Sequence, residues 1–172
     1  MKLLIMSYSY TGNNEIFAKS IAEKLNMEHI CITENKKRTI GTIIADFVLH
    51  RTPQTEPSPQ VMSDYDLIIF VAPVWMGQPA FPLRPYFNEL KKHPQKYAYI
   101  SLSGYANPEL PSKLKHITGY EATKVIELHI ADLLPPEPKP TPQTISKYRL
   151  NEQEVNTLAK QTVSKLKEER II

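Results

Sequence analysis

With 172 residues, 23% of them charged and 41% hydrophobic, the chain has the material for one ordinary domain with a full core, which excludes a disordered chain and argues against two domains. The net charge of +3 is too small, and Lys and Arg are too dispersed, to argue for nucleic acid; no run approaches the roughly 18 apolar residues of a membrane span. Proline outnumbers glycine 15 to 5, where an average chain of this length holds roughly 9 and 12, so the few glycines are expected where the backbone needs them.

Lys2 to Ser7 is a short, largely apolar run, the pattern of a parallel strand covered on both faces, and the apolar hexapeptide Met1 to Met6 is too short for the hydrophobic region of a signal or for a membrane span. Glu15 to Leu25 carries Phe17, Ile21 and Leu25 at helical spacing. His29 to Thr33 reads as a second strand, with Cys31 a buried small apolar residue inside it, and Thr39 to Leu49 as a helix. Cys31 is the only cysteine, which rules out a disulfide framework and fits a reducing cytoplasm. The run Asn35 to Arg38 reads as a solvated turn, and the proline-rich stretch Thr52 to Gln60 as a surface loop.

Asp66 to Ala72 is the most apolar strand, followed by a helix starting at Pro82 or Pro85 and running to about Lys92. Tyr97 to Ser103 and Lys124 to Ile130 read as strands four and five, with a short helix, Glu109 to Ile117, between them. A last helix spans about Glu152 to Glu169. Leu133 to Gln143 holds five of the prolines and is expected to be stiff, extended and irregular. The five histidines have no ligand spacing, so metal binding is not indicated. Five apolar strands alternating with helices indicate a single α/β domain, a doubly wound three-layer sandwich around a parallel sheet.

Ligands of such sheets bind outside the carboxyl ends of the strands, where strand order reverses. Three of the five glycines, Gly12, Gly77 and Gly104, fall in loops that leave the first, third and fourth strands. The first loop runs Ser9, Tyr10, Thr11, Gly12, Asn13, Asn14 into a helix. Its hydroxyls, amides and unpaired N–H groups suit a phosphate, while Thr11, Asn13 or Asn14 would equally serve as a plain N-cap. The Walker and dinucleotide glycine patterns are absent. So are the acidic positions of a response regulator and the Cys-x5-Arg of a small phosphatase. The second loop, Pro73, Val74, Trp75, Met76, Gly77, sets the only tryptophan beside a thioether and a glycine, a combination that can enclose a planar ring. Ser103, Gly104 and Tyr105 form the third loop, with the tyrosine a second stacking candidate.

Y-S-Y-T-G-N-N-E after the first strand resembles the FMN phosphate loop of flavodoxins, and P-V-W-M-G-Q-P is similar to the flavin-flanking loop of the same superfamily. The match covers strand and loop order over about residues 1 to 130. The resemblance implies the flavodoxin-like strand order 2-1-3-4-5. It places the FMN phosphate on Ser9 to Asn14 and the isoalloxazine ring between Trp75, Met76, Gly77 and the loop Ser103 to Tyr105. Asn14 stands where the family usually has threonine, and carboxylates around the ring are fewer than in acidic flavodoxins, so a less negative flavin potential is expected. Two activities follow from the resemblance: a small oxidoreductase passing electrons from NAD(P)H to quinones or similar acceptors, or a carrier serving protein partners. A binding module without tight FMN affinity is the alternative of a different class. Sites of this superfamily are often shared at dimer interfaces, so a homodimer is an arrangement to test. No acid or base residue is assigned.

Overall fold

The computed structural model describes residues 1–35 and 38–172. In chain order the elements are β1 (Leu3–Ser7), α1 (Asn13–Leu25), β2 (Glu28–Cys31), β3 (Thr33–Glu34), α2 (Ile40–Val48), β4 (Thr55–Glu56), β5 (Leu67–Val71), β6 (Val74–Trp75), β7 (Gln78–Pro79), α3 (Arg84–Lys92), β8 (Lys96–Ser103), α4 (Leu110–Thr118), β9 (Lys124–His129), α5 (Pro142–Lys147) and α6 (Glu152–Glu168). Short 3-10 turns occupy Pro59–Asp64, Phe81–Leu83 and Ile130–Leu133.

The central sheet is five-stranded and parallel throughout, in the order β2-β1-β5-β8-β9. The numbers jump because two antiparallel pairs, β3 with β4 and β6 with β7, lie outside the sheet. The chain leaves β1 toward β2, then returns to place β5 on the opposite side of β1. That reversal opens a crevice at the carboxyl ends of β1 and β5.

Alternation along each strand divides the core in two. Ile5, Ile69, Val71, Ile100 and Leu102 face one way, onto Phe17 and Ile21 of α1 and Leu158 and Leu166 of α6. Leu4, Met6, Ile68, Phe70, Tyr97 and Tyr99 face the other way, onto Tyr86, Phe87 and Leu90 of α3 and Leu114 of α4. The second layer is rich in aromatics. Phe70 meets the rings of Tyr86, Phe87 and Tyr97 edge-on, and such pairs contribute about 0.5–1.5 kcal/mol each beyond burial.

Several expectations are corrected. The segment Thr52 to Gln60 is not wholly irregular: Thr55–Glu56 pairs with Thr33–Glu34, and Pro59 opens a 3-10 turn. The second strand breaks at Ile32. The proline-rich stretch ends in a helix, because Thr141 caps α5 in a reciprocal box with Thr144 and Pro142 occupies the first turn, where its missing N–H costs nothing. Among the described residues, no helix is long and apolar enough to cross a membrane.

Candidate functional site

The first loop leaves β1 and enters α1 through Gly12, whose φ of 90° suits a residue without a Cβ. By sequence Thr11, Asn13 and Asn14 are each candidates for the cap, and none caps the helix: Gly12 holds the position with no side-chain bond. Ser9 Oγ accepts the Asn14 N–H at 3.1 Å. Among the described residues no protein acceptor meets the N–H groups of Tyr10, Thr11, Gly12 or Asn13. Four consecutive unpaired donors beside a helix amino terminus make a cradle of the kind that can receive an anion.

The side chains of Asn13 and Asn14 do not belong to that cradle. Asn13 is buried; its Nδ2 donates to Tyr148 O at 3.0 Å and its Oδ1 accepts the Leu150 N–H at 3.1 Å, fastening the approach to α6. Asn14 is equally buried and bonds the backbone of Leu102 with both amide atoms. Of these two residues only the Asn13 N–H is left facing the cradle, since the Asn14 N–H bonds Ser9 Oγ; among the described residues, Ser9 and Thr11 are the short side chains of the loop that carry free hydroxyl donors.

The second loop is a tight hairpin between β6 and β7. Met76 (φ 51°) and Gly77 (φ 75°) both take positive φ, the signature of a type I′ turn, and methionine is strained there. Asn107 Nδ2 donates to Gly77 O at 3.0 Å, tying this turn to the loop after β8. Trp75 is held edge-on by Tyr8, Tyr10 and Phe81, with the Arg38 guanidinium 5.7 Å from its ring centroid. In the third loop, Ser103 Oγ accepts the Val74 N–H at 2.7 Å, so this serine positions the hairpin. Gly104 lies under α5: a Cβ there would sit 3.2 Å from Ile145 Cγ2. Tyr105 donates its hydroxyl to Pro140 O at 2.8 Å, drawing the proline-rich segment against the loop.

These loops enclose a cleft of about 750 Å³, within the range typical of small-molecule sites. Tyr10, Thr11, Asn14, Pro73, Val74, Trp75, Met76, Gly77, Ser103, Gly104 and Tyr105 all line it, whereas Ser9, Gly12 and Asn13 do not. The sequence reading missed Ile43, Leu102, Ala106, Asn107, Ile130, Pro142, Ile145 and Ser146. For the last three a signal existed, the Thr141-Pro142 capping pattern of α5. No Asp, Glu, Lys, Arg or His is among the described residues lining the cleft.

Behind Trp75, Arg38 is buried in an ion-pair cluster rather than in a solvated turn; Lys36 and Lys37 of the same run lie outside the described residues. Arg38 Nη1 is 2.6 Å from Asp46 Oδ2, and Nε and Nη2 grip the Glu34 carboxylate. Burial opposes its charge, but the bonds from Glu34 and Asp46 prevail and hold its pKa above the ordinary value. Tyr8 donates to Glu34 at 3.1 Å, and burial, reinforced by that carboxylate, pushes its pKa up. Cys31 is only half-buried and sits in a polar group, 3.8 Å from both Ser7 Oγ and His29 Nε2, with those two 2.8 Å apart. Burial raises the thiol's pKa.

The sequence matches no protein-family model, and no curated protein matches it. Solved structures do. A flavoprotein in complex with FMN from Lactobacillus acidophilus NCFM superposes with a TM-score of 0.64 at 20% identity, over 73% of this chain and 92% of that one. The two-electron reduced flavodoxin of Megasphaera elsdenii gives 0.52 at 15% identity, over 92% and 98%. A WrbA-like flavodoxin from Agrobacterium tumefaciens gives 0.51 at 13%, over 98% and 97%. At these identities the likeness establishes the fold.

Proposed function

We propose that this chain, whose fold is flavodoxin-like, binds FMN in the cleft between its β1, β5 and β8 loops and acts as a small FMN-dependent oxidoreductase, taking electrons from NAD(P)H and delivering them to a quinone or similar acceptor. The observation that carries the reading is that an unpaired N–H cradle, Tyr10 to Asn13, opens through Tyr10 and Thr11 onto the same cleft as aromatic and small residues of the other two loops. FMN, when bound, supplies reversible hydride and single-electron chemistry.

The protein's part is binding, orientation and electrostatics. The N–H groups of Tyr10 to Asn13 and the hydroxyls of Ser9 and Thr11 would hold the phosphate, with the partial positive charge of the α1 amino terminus behind them. Trp75, Met76 and Gly77 would border one side of the ring system, and Gly104 and Tyr105 the other. Ile130, Leu102 and Ile145 exclude water from the interior wall. The Asn107 bond to Gly77 O fixes which edge of the hairpin the cleft presents.

The uncharged lining removes the carboxylate repulsion that would oppose added negative charge on the cofactor, so its midpoint potential lies above that of acidic flavodoxins. A redox titration checks this. The reading as a whole is tested by the absorption spectrum of the purified protein, by flavin released on denaturation, and by NAD(P)H oxidation with added quinone. Bound FMN with turnover is the expected result. Bound FMN with no turnover, but rapid reduction by a reductase protein, would assign a carrier. Failure to quench added FMN at high protein concentration would overturn the reading in favour of a non-enzymatic module.

A further inference from the structure

The β6–β7 hairpin serves two cavities. Val74 to Gly77 line the cleft, while Gln78 lines a separate groove of about 450 Å³. Arg84 and Asn88 of α3, Lys113 and His116 of α4, and His50 also face this groove, and no carboxylate belongs to a described residue lining it. A concentration of cationic side chains and amides in a concave site, on a chain with a net charge of only +3, needs an explanation.

Arg84 supplies the chemistry. Its Nη1 donates to the carbonyls of Asp46, at 2.9 Å, and Arg51, at 2.5 Å, and its guanidinium lies 4.2 Å from the Phe81 ring centroid. Both contacts fix the side chain without neutralising it. The neighbouring Asp46 carboxylate is taken by Arg38. Among the described residues no acceptor meets Nε or Nη2 of Arg84, the edge of the fork that matches a phosphate in two parallel bonds. Lys113 is half-exposed, its only ion pair among the described residues a 3.6 Å contact with the solvated Glu109 that precedes its helix, the kind of pair that holds a lysine weakly.

We propose that this groove is a phosphate-binding subsite for a phosphorylated small molecule whose other end reaches the cleft across the shared hairpin. Resting on the oxidoreductase reading, that molecule is the nicotinamide dinucleotide donor, and a terminal 2′-phosphate meets the Arg84 fork, so NADPH is preferred to NADH. A phosphorylated reactant of another kind presents the same chemistry.

The test is isothermal titration of the purified protein with 2′,5′-ADP and, separately, inorganic pyrophosphate. Binding of 2′,5′-ADP that is weakened at least tenfold by Lys113→Glu is expected, as is a KM for NADPH at least tenfold below that for NADH. The solvent-exposed His116→Gln provides a second variant without a folding risk. Pyrophosphate binding equal to that of 2′,5′-ADP supports the subsite and assigns it to another phosphorylated reactant. No binding of either probe, or binding indifferent to both variants, would overturn the proposal. FMN quenching in the same samples separates the two readings: groove binding without FMN binding sinks the oxidoreductase, and FMN binding without groove binding sinks the subsite.

Discussion

Asn14 acts as a strand for Leu102. Its Nδ2 donates to Leu102 O at 2.9 Å and its Oδ1 accepts the Leu102 N–H at 3.2 Å. β5 ends with Val71 opposite Ile100, so two residues further along β8 there is no neighbouring backbone on that side, and the asparagine amide supplies the missing pair. Asn14→Ala strands two buried backbone groups at about 1–3 kcal/mol each, and a loss of roughly 2–6 kcal/mol in urea unfolding is expected. Asn14→Thr, which restores the residue of the resembled motif, should recover only part of it.

Two neighbouring substitutions in the first loop should separate by phenotype. Thr11→Ala removes a hydroxyl beside the N–H cradle while leaving the fold intact; if the hydroxyl bonds the phosphate, FMN affinity should fall about tenfold to a hundredfold, read by fluorescence quenching. Asn13→Ala cuts the ties to Tyr148 and Leu150, so it should lower the unfolding midpoint before it alters FMN affinity. The reverse pattern would return Asn13 to the cofactor.

Gly104 and Ile145 form a second diagnostic pair. A methyl at residue 104 would press on Ile145 Cγ2 at 3.2 Å, closer than ordinary van der Waals contact. Gly104→Ala should cost about 1–3 kcal/mol and displace α5 from the cleft wall. The double variant Gly104→Ala with Ile145→Ala, which deletes Cγ2, should lose less stability than the sum of the two single variants; purely additive effects would show that the contact does not matter.

Stability should also respond to pH through His29. Burial disfavours its cation, outweighing Glu15, so its folded pKa lies below the unfolded value of about 6.5. Above that value both states are neutral and the full stability is present. As pH falls, the unfolded chain takes up the proton first, so stability declines until the folded imidazole also titrates, by at most about 1.4 kcal/mol per unit. Urea titrations at pH 7.5 and 5.5 should show a smaller difference for His29→Gln than for the parent.

Much of the cleft was legible because its chemistry sits at strand ends. The runs Lys2 to Ser7, Asp66 to Ala72 and Tyr97 to Ser103 announce β1, β5 and β8, and the residues that follow them had to be the three loops. The side chains of Asn13 and Asn14 are bound elsewhere, which the sequence does not show because an amide that binds phosphate and one that binds a distant backbone look alike; their partners are 135 and 88 residues away. Arg38 escapes a local reading for a different reason. Its partner Glu34 is four residues off, but the burial that makes the pair matter comes from packing beside Trp75.

Local patterning thus settled the parallel α/β sandwich, the placement of the glycines and the composition of the loops, since period-two burial and capping depend on residues close in the chain. Long-range assembly settled everything that depends on which side of an element faces what. It turned the proline-rich segment into a wall of the cleft through Ile145, assigned Asn13 and Asn14 to the scaffold, and gathered Arg84, Lys113 and His116 from two helices into one groove. Those contacts join residues far apart in the chain, and no local free-energy preference encodes them.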